Sequence, residues 1–435
     1  IFIVGYLAIT LEHYIKIDKL IPALAMMSIL WALISIYHLP VFEVDTFLRK
    51  LKPSHLEEIL LHHLGKTAEI IIFLLGAMTI VEIIDYFNGF ATIKGFIKTK
   101  SKKGLLFIFS VLAFVLSAII DNLTATIVLI TILQKVIKER ETRIWFTGLI
   151  IIAANAGGAW SPIGDLTTTM LWIGNKVTTI ELIKFLLIPS IVCTLIPVFI
   201  ASRLNAFQGN ISSEVKDDGE KNHKYGATML YMGLSGIVFV PIFKTITHLP
   251  PYVGMMFSLA VVATFAEIFS RTKISISNVD EESNIEAHHS PVHKSLSKIE
   301  LPSILFFLGI LLAVAALESL GILFEFAGSL NKAIPNTDIV VILFGIGSAI
   351  VDNVPLVAAS MGMFSQSIDD PLWHFIAFSA GTGGSMLIIG SAAGVVAMGM
   401  EKIDFFWYLK KISWLAFLGF IAGSITFVFL RGLLV

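Results

Sequence analysis

Long apolar runs, separated by polar stretches, dominate the pattern of the chain. A helix rises about 1.5 Å per residue, so about 20 apolar residues span the roughly 30 Å of a bilayer's hydrocarbon core. Because lipid offers the backbone no hydrogen-bond partners, such runs predict helices, and the short alternating strands of a membrane barrel are absent. The pattern therefore predicts an all-α polytopic membrane protein. The apolar segments lie near residues 1–10, 20–38, 68–86, 104–134, 144–175, 185–202, 226–248, 252–270, 301–320, 338–366, 372–400 and 409–431.

Composition supports this fold class and narrows the partners. Of the 435 residues, 56% are hydrophobic and 14% are charged, whereas about a quarter of the residues in soluble domains are charged. The net charge of −1 does not indicate a nucleic-acid partner, and a single cysteine, Cys193, excludes an internal disulfide. We expect an integral membrane protein with lipid as its surroundings and no nucleic acid as partner. We expect the protein to be localised in a bacterial cytoplasmic membrane, or in an organelle membrane if the source is a eukaryote.

Basic residues predict how two of the segments enter the membrane. Lysine and arginine flank the segment 104–134 on both sides, and such residues stay cytoplasmic. One crossing would separate these flanks, and two full crossings need about 40 residues. A re-entrant hairpin that opens to the cytoplasm fits both facts. The segment 338–366 has acidic residues behind it and is expected to open to the outside. The flanking basic residues are Lys94, Lys98, Lys100, Lys102, Lys103, Lys135, Lys138, Arg140 and Arg143.

An internal repeat divides the chain into two halves. The sequence SAIIDN at 117–122 returns as SAIVDN at 348–353, 231 positions later, and NAGGAWSPIGD at 155–165 matches GTGGSMLIIGS at 381–391. An odd number of crossings separates the halves, so we expect them to be inverted relative to each other. Inverted repeats with discontinuous helices are typical of secondary transporters, whose site lies at the repeat interface.

The predicted organisation follows from this repeat. Each half is expected to contain a re-entrant hairpin and an interrupted transmembrane helix. The first inverted repeat comprises 1–202, with its hairpin near 104–134 and its broken helix near 144–175; a cytoplasmic linker follows at 203–225; the second inverted repeat comprises 226–435, with its hairpin near 338–366 and its broken helix near 372–400.

Polar residues at bilayer depth mark a candidate cation site in the first half. A carboxylate there costs about 2.5–3.5 kcal/mol on insertion scales, so its presence needs a reason. Helix capping by Asp or Asn is the structural alternative. A hard cation prefers oxygen ligands from carboxylate, amide, hydroxyl and carbonyl groups, which this set supplies. The predicted cation-binding residues are Ser117, Asp121, Asn122, Thr124, Asn155, Asp165, Thr167 and Thr168, with Na⁺ held principally at Asp121, Asn122, Asn155 and Asp165.

The second half offers a related set with a single acid. Its predicted second-hairpin site comprises Ser348, Asp352, Asn353, Thr382, Ser385 and Ser391. Because the first half has two acids, we expect the principal site there, with Asp121 and Asp165 exchanging protons. A bound cation stabilises an ionised carboxylate while burial favours the protonated form, and this competition is the basis of exchange. No catalytic residues and no cofactor are expected, and the chain is not expected to be an enzyme.

Two further predictions concern residues before the third apolar segment. Glu69 and His62 are candidates for gating or pH sensing, although an interfacial helix face would also explain His62. The stretch 41–66 mixes charges of both signs with apolar residues, and we expect an amphipathic helix at the membrane interface.

The two motifs of the first half, SAIIDNLTAT and NAGGAWSPIGDLTTTMLW, closely resemble the NhaD-type sodium/proton antiporters of the ion transporter superfamily. The resemblance extends from about residue 60 to the C-terminus. It implies exchange of Na⁺ or Li⁺ for H⁺, by a transport domain that moves against the scaffold of a homodimer. Carboxylate carriers of the superfamily have Ser-Asn-Thr at the hairpin tips, where this chain has Asp-Asn, which favours a cation as the only substrate. The matching functional positions are Asp121, Asn122, Asn155, Asp165, Thr167, Thr168, Asp352 and Asn353.

Other functions remain open at this point. An anion carrier of the same fold, such as an arsenite or dicarboxylate permease, would need basic residues at the site. Neither lysine nor arginine occurs in the segments 104–134, 144–175 and 338–400. Free helix N-termini could still bind an anion. A cation channel is a further alternative. An intramembrane protease is disfavoured, because the zinc motif HExxH is absent and a protease would leave the second hairpin unexplained.

Overall fold

The structure is a computed structural model that describes residues 1–10, 15–45, 50–95, 97, 99–211, 224–274, 290–299, 301–350 and 353–434. Most of these residues are helical, and a small antiparallel ribbon of two strands is added near the N-terminal end. The first part contains α1 (Phe2–Thr10), α2 (Leu20–Ile36), β1 (Val41–Asp45), β2 (Lys50–Ser54), α3 (Leu56–Tyr86), α4 (Ala91–Lys94), α5 (Lys102–Ile120), α6 (Asn122–Val136), α7 (Arg140–Ala159), α8 (Leu166–Ile173), α9 (Thr179–Ala201) and a 3₁₀ helix at Asn205–Phe207.

The second part repeats much of this order after two long helices. It contains α10 (Gly226–Thr247), α11 (Pro251–Ile274), α12 (Pro291–Leu296), α13 (Leu301–Ser319), α14 (Ile322–Ala333), α15 (Thr337–Ser348), α16 (Asn353–Met363), α17 (Pro371–Gly383), α18 (Ala392–Glu401), α19 (Phe405–Lys411) and α20 (Ser413–Leu434). Most of the predicted linker 203–225 lies outside the described residues.

Several helices meet the requirements of a membrane span. Within the described part of the chain, α3, α5, α9, α10, α11, α13 and α20 are long and apolar enough to cross a bilayer. Large apolar side chains on their outer faces are exposed, for example Phe199 on α9 and Phe429 on α20. In water such surfaces would be unfavourable, whereas in lipid they face a solvent of their own polarity. The chain is therefore an integral membrane protein.

The contacts of the chain define two compact units. The first unit comprises Ile1–Ile70, Lys100–Ile211 and Pro302–Val435, and it contains both predicted hairpins and both broken helices. The second unit comprises Ile71–Thr99 and Ser212–Leu301 and contains α10 and α11.

The broken helices form the centre of the first unit. Every residue of 146–159 in α7 and of 372–383 in α17 is buried. Helix α17 contacts α7, α18 contacts α6 and α7, and α16 contacts α8, so elements of the two halves interlock. The polar residues at the helix breaks are consequently held inside protein and away from lipid.

The two halves use the same local contacts. The Ser117 hydroxyl donates to the carbonyl of Ala154 at 2.6 Å, and the Ser348 hydroxyl donates to the carbonyl of Ala380 at 2.7 Å. Each bond ties the first hairpin helix of its half to the broken helix that follows. The sequence repeat is thus also a repeat of tertiary contacts. The opposite orientation of the halves in the membrane remains a prediction.

Glycine explains how each break packs against its hairpin. A Cβ at Gly164 would lie 2.6 Å from the carbonyl oxygen of Ser117, and a Cβ at Gly390 would lie 2.6 Å from that of Ala349. Contacts this short are not tolerated, so both positions require glycine. These two glycines occupy matching positions in the repeat, 226 residues apart.

The prediction of an amphipathic helix at 41–66 is wrong for its first part. Residues Val41–Asp45 and Lys50–Ser54 pair as antiparallel strands, and α3 begins only at Leu56. Cross-strand pairing sets Glu43 opposite Lys52, which places unlike charges side by side. Proline at position 53 is tolerated because a two-stranded ribbon consists of edge strands.

Candidate cation site

Asp121 occupies the turn of the first hairpin, between α5 and α6. Its backbone has φ 82° and ψ 158°, a region that costs a residue other than glycine about 1–3 kcal/mol. Its carboxylate accepts hydrogen bonds from the backbone N–H and the hydroxyl of Thr124, both at 2.8 Å. Asp121 therefore caps α6, as the structural alternative predicted. The carboxylates of Asp121 and Asp165 are also close enough to interact electrostatically.

Three buried side chains meet beside this turn. The Asn122 amide donates to Oδ1 of Asn155 and to Oδ1 of Asp165, both at 3.0 Å. Asn155 is fully buried, and only 3% of Asp165 is exposed. The hairpin tip is thus joined directly to the break between α7 and α8. Asn122 thus contacts two of the other three residues predicted to hold Na⁺.

Threonines support the break from the other side. The Thr167 hydroxyl donates to Oδ2 of Asp165, so both oxygens of this carboxylate are hydrogen-bonded. The Thr168 hydroxyl is directed instead to the carbonyls of Ser161 and Asp165, each at 2.8 Å. Interrupting a helix leaves such carbonyls without intrahelical partners, and Thr168 supplies one. Thr167 is accordingly placed to contact a bound ion, and Thr168 stabilises the loop that shapes the site.

The second half completes the site of the first. The Asn155 amide donates to the Ser391 hydroxyl at 3.1 Å, and the same hydroxyl accepts from the Gly394 N–H and caps α18. A Cβ at Gly381 would lie 3.3 Å from Oδ2 of Asp165. Since Gly381 and Ser391 match Asn155 and Asp165 in the repeat, the two breaks face each other. The sequence assigned Ser391 to a separate second site, whereas the structure places it against the first.

The remaining candidates of the second half serve the backbone around them. The hydroxyl of Thr382 donates to the Phe378 carbonyl, and that of Ser385 donates to the Thr382 carbonyl, each at 2.6 Å. Asn353 begins α16 and is 5% exposed. Asp352 lies outside the described residues. A second-hairpin site therefore stays a prediction.

The two candidates for gating occupy α3 and are not at the site. His62 and its neighbour His63 line a cavity of about 200 Å³, together with Glu43, Lys66, Lys176 and Glu318. Glu69 is half-buried and does not line this cavity. Sequence reasoning missed Glu318 and Lys176. One signal could have found Glu318, because FFLGILLAVAALE at 306–318 resembles FLLGAMTIVEIID at 73–85 and places Glu318 at the position of Asp85.

The donor set decides which ions suit the site. Two carboxylates, two amides and two hydroxyls supply only hard oxygen ligands to a bound ion, as alkali cations require. Within the described residues, His, Cys, Asp and Glu do not gather in groups of three that could hold a metal ion. The site thus provides a buried negative charge that either a proton or a small cation can neutralise.

Comparisons with known proteins agree with a membrane transporter of this fold. A family described as CitMHS, citrate transporter, matches residues 6–374. Sodium/proton antiporter 1 of Arabidopsis thaliana is 41% identical over 100% of this chain and 72% of its own length. The Na⁺/H⁺ antiporter NhaD of Vibrio cholerae is 29% identical over 99% of this chain and 91% of its own. The YdaH transporter of Alcanivorax borkumensis superimposes with a TM-score of 0.62, covering 96% of this chain and 99% of that structure at 12% identity, which shows likeness of fold alone.

Spanning helices, repeated helix breaks and a buried oxygen-lined site define an integral membrane transporter of the citrate-transporter class. Near full-length similarity extends to several antiporters of one type. The chain belongs to the family of the NhaD-type sodium/proton antiporters.

Proposed function

We propose that this protein exchanges Na⁺ or Li⁺ for H⁺ across a membrane by alternating access. The observation that carries the proposal is the contact of Asn122, at the hairpin tip, with Asn155 and Asp165 in the broken helix. These side chains come from different elements and converge on one buried carboxylate. Relatives along the whole length of the chain are named sodium/proton antiporters, which supports the same activity.

Asp165 is the proposed centre of the exchange. An isolated ionised carboxylate in a dry site is costly, so this group holds either a proton or a cation. The Asn122 amide donates its N–H to the oxygens that would coordinate Na⁺. Rotation of this amide by half a turn presents its oxygen instead and adds a ligand. Sodium binding then releases the proton from Asp165, and protonation releases sodium.

Asp121 is proposed as the second exchanging acid. Its carboxylate caps α6 through Thr124 while its backbone is held in a costly conformation. An outlier of this kind at a functional turn is a reason to propose a role beyond capping. When Na⁺ binds, the carboxylate can exchange one of its Thr124 contacts for the cation.

The two-half construction of the site supports alternating access. Asn155 from the first half contacts Ser391 from the second, so a rearrangement of one half against the other would change the surroundings of an ion bound there. Inverted repeats with broken helices use this arrangement to expose a site to each side in turn. We also propose a homodimer in the lipid bilayer, on the strength of the family resemblance.

Proton movement in everted membrane vesicles tests the proposal. After a pH gradient is established, NaCl, LiCl or KCl is added to vesicles with wild-type protein or with Asp121→Asn. We expect Na⁺ and Li⁺ to collapse the gradient, K⁺ to leave it unchanged, and the variant to lose the response. If no alkali cation moves protons through the wild-type protein, the proposal is wrong.

An anion carrier is the second candidate, because the matching family is described as a citrate transporter. The site itself opposes this function, since Asp121 and Asp165 would repel a carboxylate substrate. The nearest basic residue in sequence to the first break, Lys176, lines the separate cavity beside α3. Uptake of labelled citrate into the same vesicles separates the candidates, and we expect none above that of vesicles without the protein.

A further inference from the structure

A cavity of about 200 Å³ lies in the first unit, and the proposed exchange reaction does not yet use it. Its walls come from α3, α8, α13 and α16 and from strand β1. Charged and titratable groups are concentrated there, although most of the surrounding helix surface is apolar. They are Glu43, His62, His63, Lys66, Lys176 and Glu318.

One face of α8 joins this cavity to the cation site. Thr167, Met170 and Gly174 are spaced at i, i+3 and i+7, which places them along one side of the helix. Thr167 bonds to Asp165, whereas Met170 and Gly174 line the cavity. Met170 is 1% exposed and separates the two by a single helical turn. An unbranched methionine adapts its shape readily, so it is a suitable barrier at this point.

Glu318 is the acid of the cavity that lies against the second hairpin. A Cβ at Gly362 of α16 would lie 3.1 Å from its Cγ and 3.2 Å from its Cδ, so the side chain packs on the backbone of α16. The Lys66 and Lys176 ammonium groups interact electrostatically with its carboxylate. The Nζ atom of Lys176 lies 4.6 Å from the ring centre of Trp373. Burial lowers the pKa of Lys176, and Glu318 partly opposes this change.

We propose that this cavity is the vestibule through which ions reach the cation site from one side of the membrane, and that Glu318 is its proton-binding carboxylate. The proposal rests on the exchange function proposed above. When Na⁺ binds, the O–H bond of Asp165 breaks and the proton passes through water to Glu318, where a new O–H bond forms. That bond then breaks and the proton leaves to water in the vestibule. Charge and atoms balance, because one Na⁺ replaces one H⁺ at Asp165.

The charged groups of the cavity determine which ion Glu318 can bind. The same cavity is lined by Lys66, His62 and His63 from α3, by Lys176 after α8, and by Glu43 from β1. The lysines keep Na⁺ from settling at Glu318, whereas a proton neutralises the carboxylate without needing a coordination shell. The vestibule thus favours transfer of protons at Glu318 and binding of Na⁺ at Asp165.

Substitution of Glu318 separates a role in proton transfer from a role in sodium binding. We expect Glu318→Gln to slow exchange by at least about tenfold, since a positioned proton-transfer group contributes about 10²–10⁴-fold. Na⁺ binding to the purified protein should stay near the wild-type affinity, and Glu318→Asp should recover part of the rate. Glu325→Gln, on the exposed face of the neighbouring α14, is the matched control and should exchange at the wild-type rate.

Two outcomes would overturn the proposal. If Glu318→Gln exchanges at the wild-type rate, Glu318 transfers no proton. If Na⁺ binding is lost together with exchange, Glu318 maintains the site or the fold instead. Failure of the exchange function itself is distinguishable, because the wild-type protein would then show no Na⁺-dependent proton movement.

Thiol labelling tests the vestibule independently of any carboxylate. The single cysteine, Cys193, allows a cysteine-free background through Cys193→Ser. In it, Ala315→Cys places a thiol on the cavity wall, and Ala313→Cys places one on the same helix in a fully buried position away from the cavity. We expect a membrane-impermeant thiol reagent to modify only Ala315→Cys, from one side, and to block exchange. Equal labelling of both, or of neither, would contradict the vestibule.

Discussion

Asp165 is the residue around which the site is built, with one oxygen bonded to an amide and the other to a hydroxyl. The Asn122 donor lies 3.0 Å from Oδ1, and Thr167 donates to Oδ2. Asp121, in contrast, caps α6 through Thr124. From the motif alone these two acids are equivalent candidates. Their different surroundings are the reason why we propose Asp165 as the central acid.

Asp165→Asn removes the charge and keeps the shape. We expect Na⁺ binding to weaken by about tenfold to a hundredfold, because an interaction with a charged group is worth about 1.5–3 kcal/mol. Calorimetric titration of the purified protein with NaCl measures the change. Asp18→Asn is the control, since Asp18 is exposed and its side chain accepts the Leu20 N–H, which asparagine can also do. Wild-type affinity in Asp165→Asn would remove this residue from the site.

Gly381→Ala tests whether the second half forms part of the same site. The added methyl would lie 3.3 Å from Oδ2 of Asp165 and 3.4 Å from Cβ of Ala159. Such crowding costs about 1 kcal/mol, so we expect roughly fivefold weaker Na⁺ binding. Gly399→Ala is the control, because a Cβ there has no neighbour within 4 Å. The same titration measures both variants, and equal affinities would contradict a site shared between the halves.

At the scale of elements, the structure explains both what the sequence could predict and what it could not. The helix breaks at Asp121 and after Ala159 could be predicted from the sequence, because buried acids and clustered Gly and Pro are costly inside an apolar run. The strands Val41–Asp45 and Lys50–Ser54 could not be predicted in this way. Their mixed polarity fits a short helix equally well, and only cross-strand pairing decides between the two. The contact of Ser391 with Asn155 was likewise hidden, since it depends on how two distant breaks face each other.

A buried ion pair ties the ends of three elements together. Glu401, at the end of α18, has a fully buried side chain that accepts from Arg143 Nε at 3.0 and 3.1 Å and from Gln134 Nε2 at 3.0 Å. Removing one partner of a buried pair leaves the other charge uncompensated. Helices α6, α7 and α18 all depend on this contact.

Glu401→Gln should therefore lower the free energy of unfolding by about 3–5 kcal/mol. Denaturation of the detergent-purified protein, followed by circular dichroism, measures the loss. Glu181→Gln is the control, because the pair of Glu181 with Lys184 is partly exposed and contributes at most about 1 kcal/mol. Equal stability of the two variants would show that the pair at Glu401 is not a structural tie.

Across the whole molecule, the two halves share matching serine hydrogen bonds and closely similar glycine contacts, and their helix breaks meet at the candidate site. The repeat was evident in the sequence, but the contact between its two helix breaks was not. Matching positions suggested two separate sites, one in each half. In the structure, Ser391 accepts a hydrogen bond from Asn155 and Gly381 lies against Asp165, so we propose that the second break contributes to the site of the first. The second half has fewer acids, and its residues contact the proposed ligands of the first half.

Competition between Na⁺ and H⁺ for one site predicts a definite pH dependence of exchange. As the pH falls, the acids at the site are protonated more often, so the apparent KM for Na⁺ should rise. Initial rates in proteoliposomes at several pH values and Na⁺ concentrations measure this effect. A KM independent of pH would indicate that the two ions bind at separate sites.

Proton release on addition of Na⁺ to the purified protein is the most direct test of exchange at Asp165. A pH indicator in weakly buffered detergent solution records the protons displaced when NaCl is added, with KCl as the matched salt. We expect release with NaCl and none with KCl in the wild-type protein, and no release in Asp165→Asn. Release that persists in Asp165→Asn, or Na⁺ binding without release in the wild type, would contradict exchange at this carboxylate.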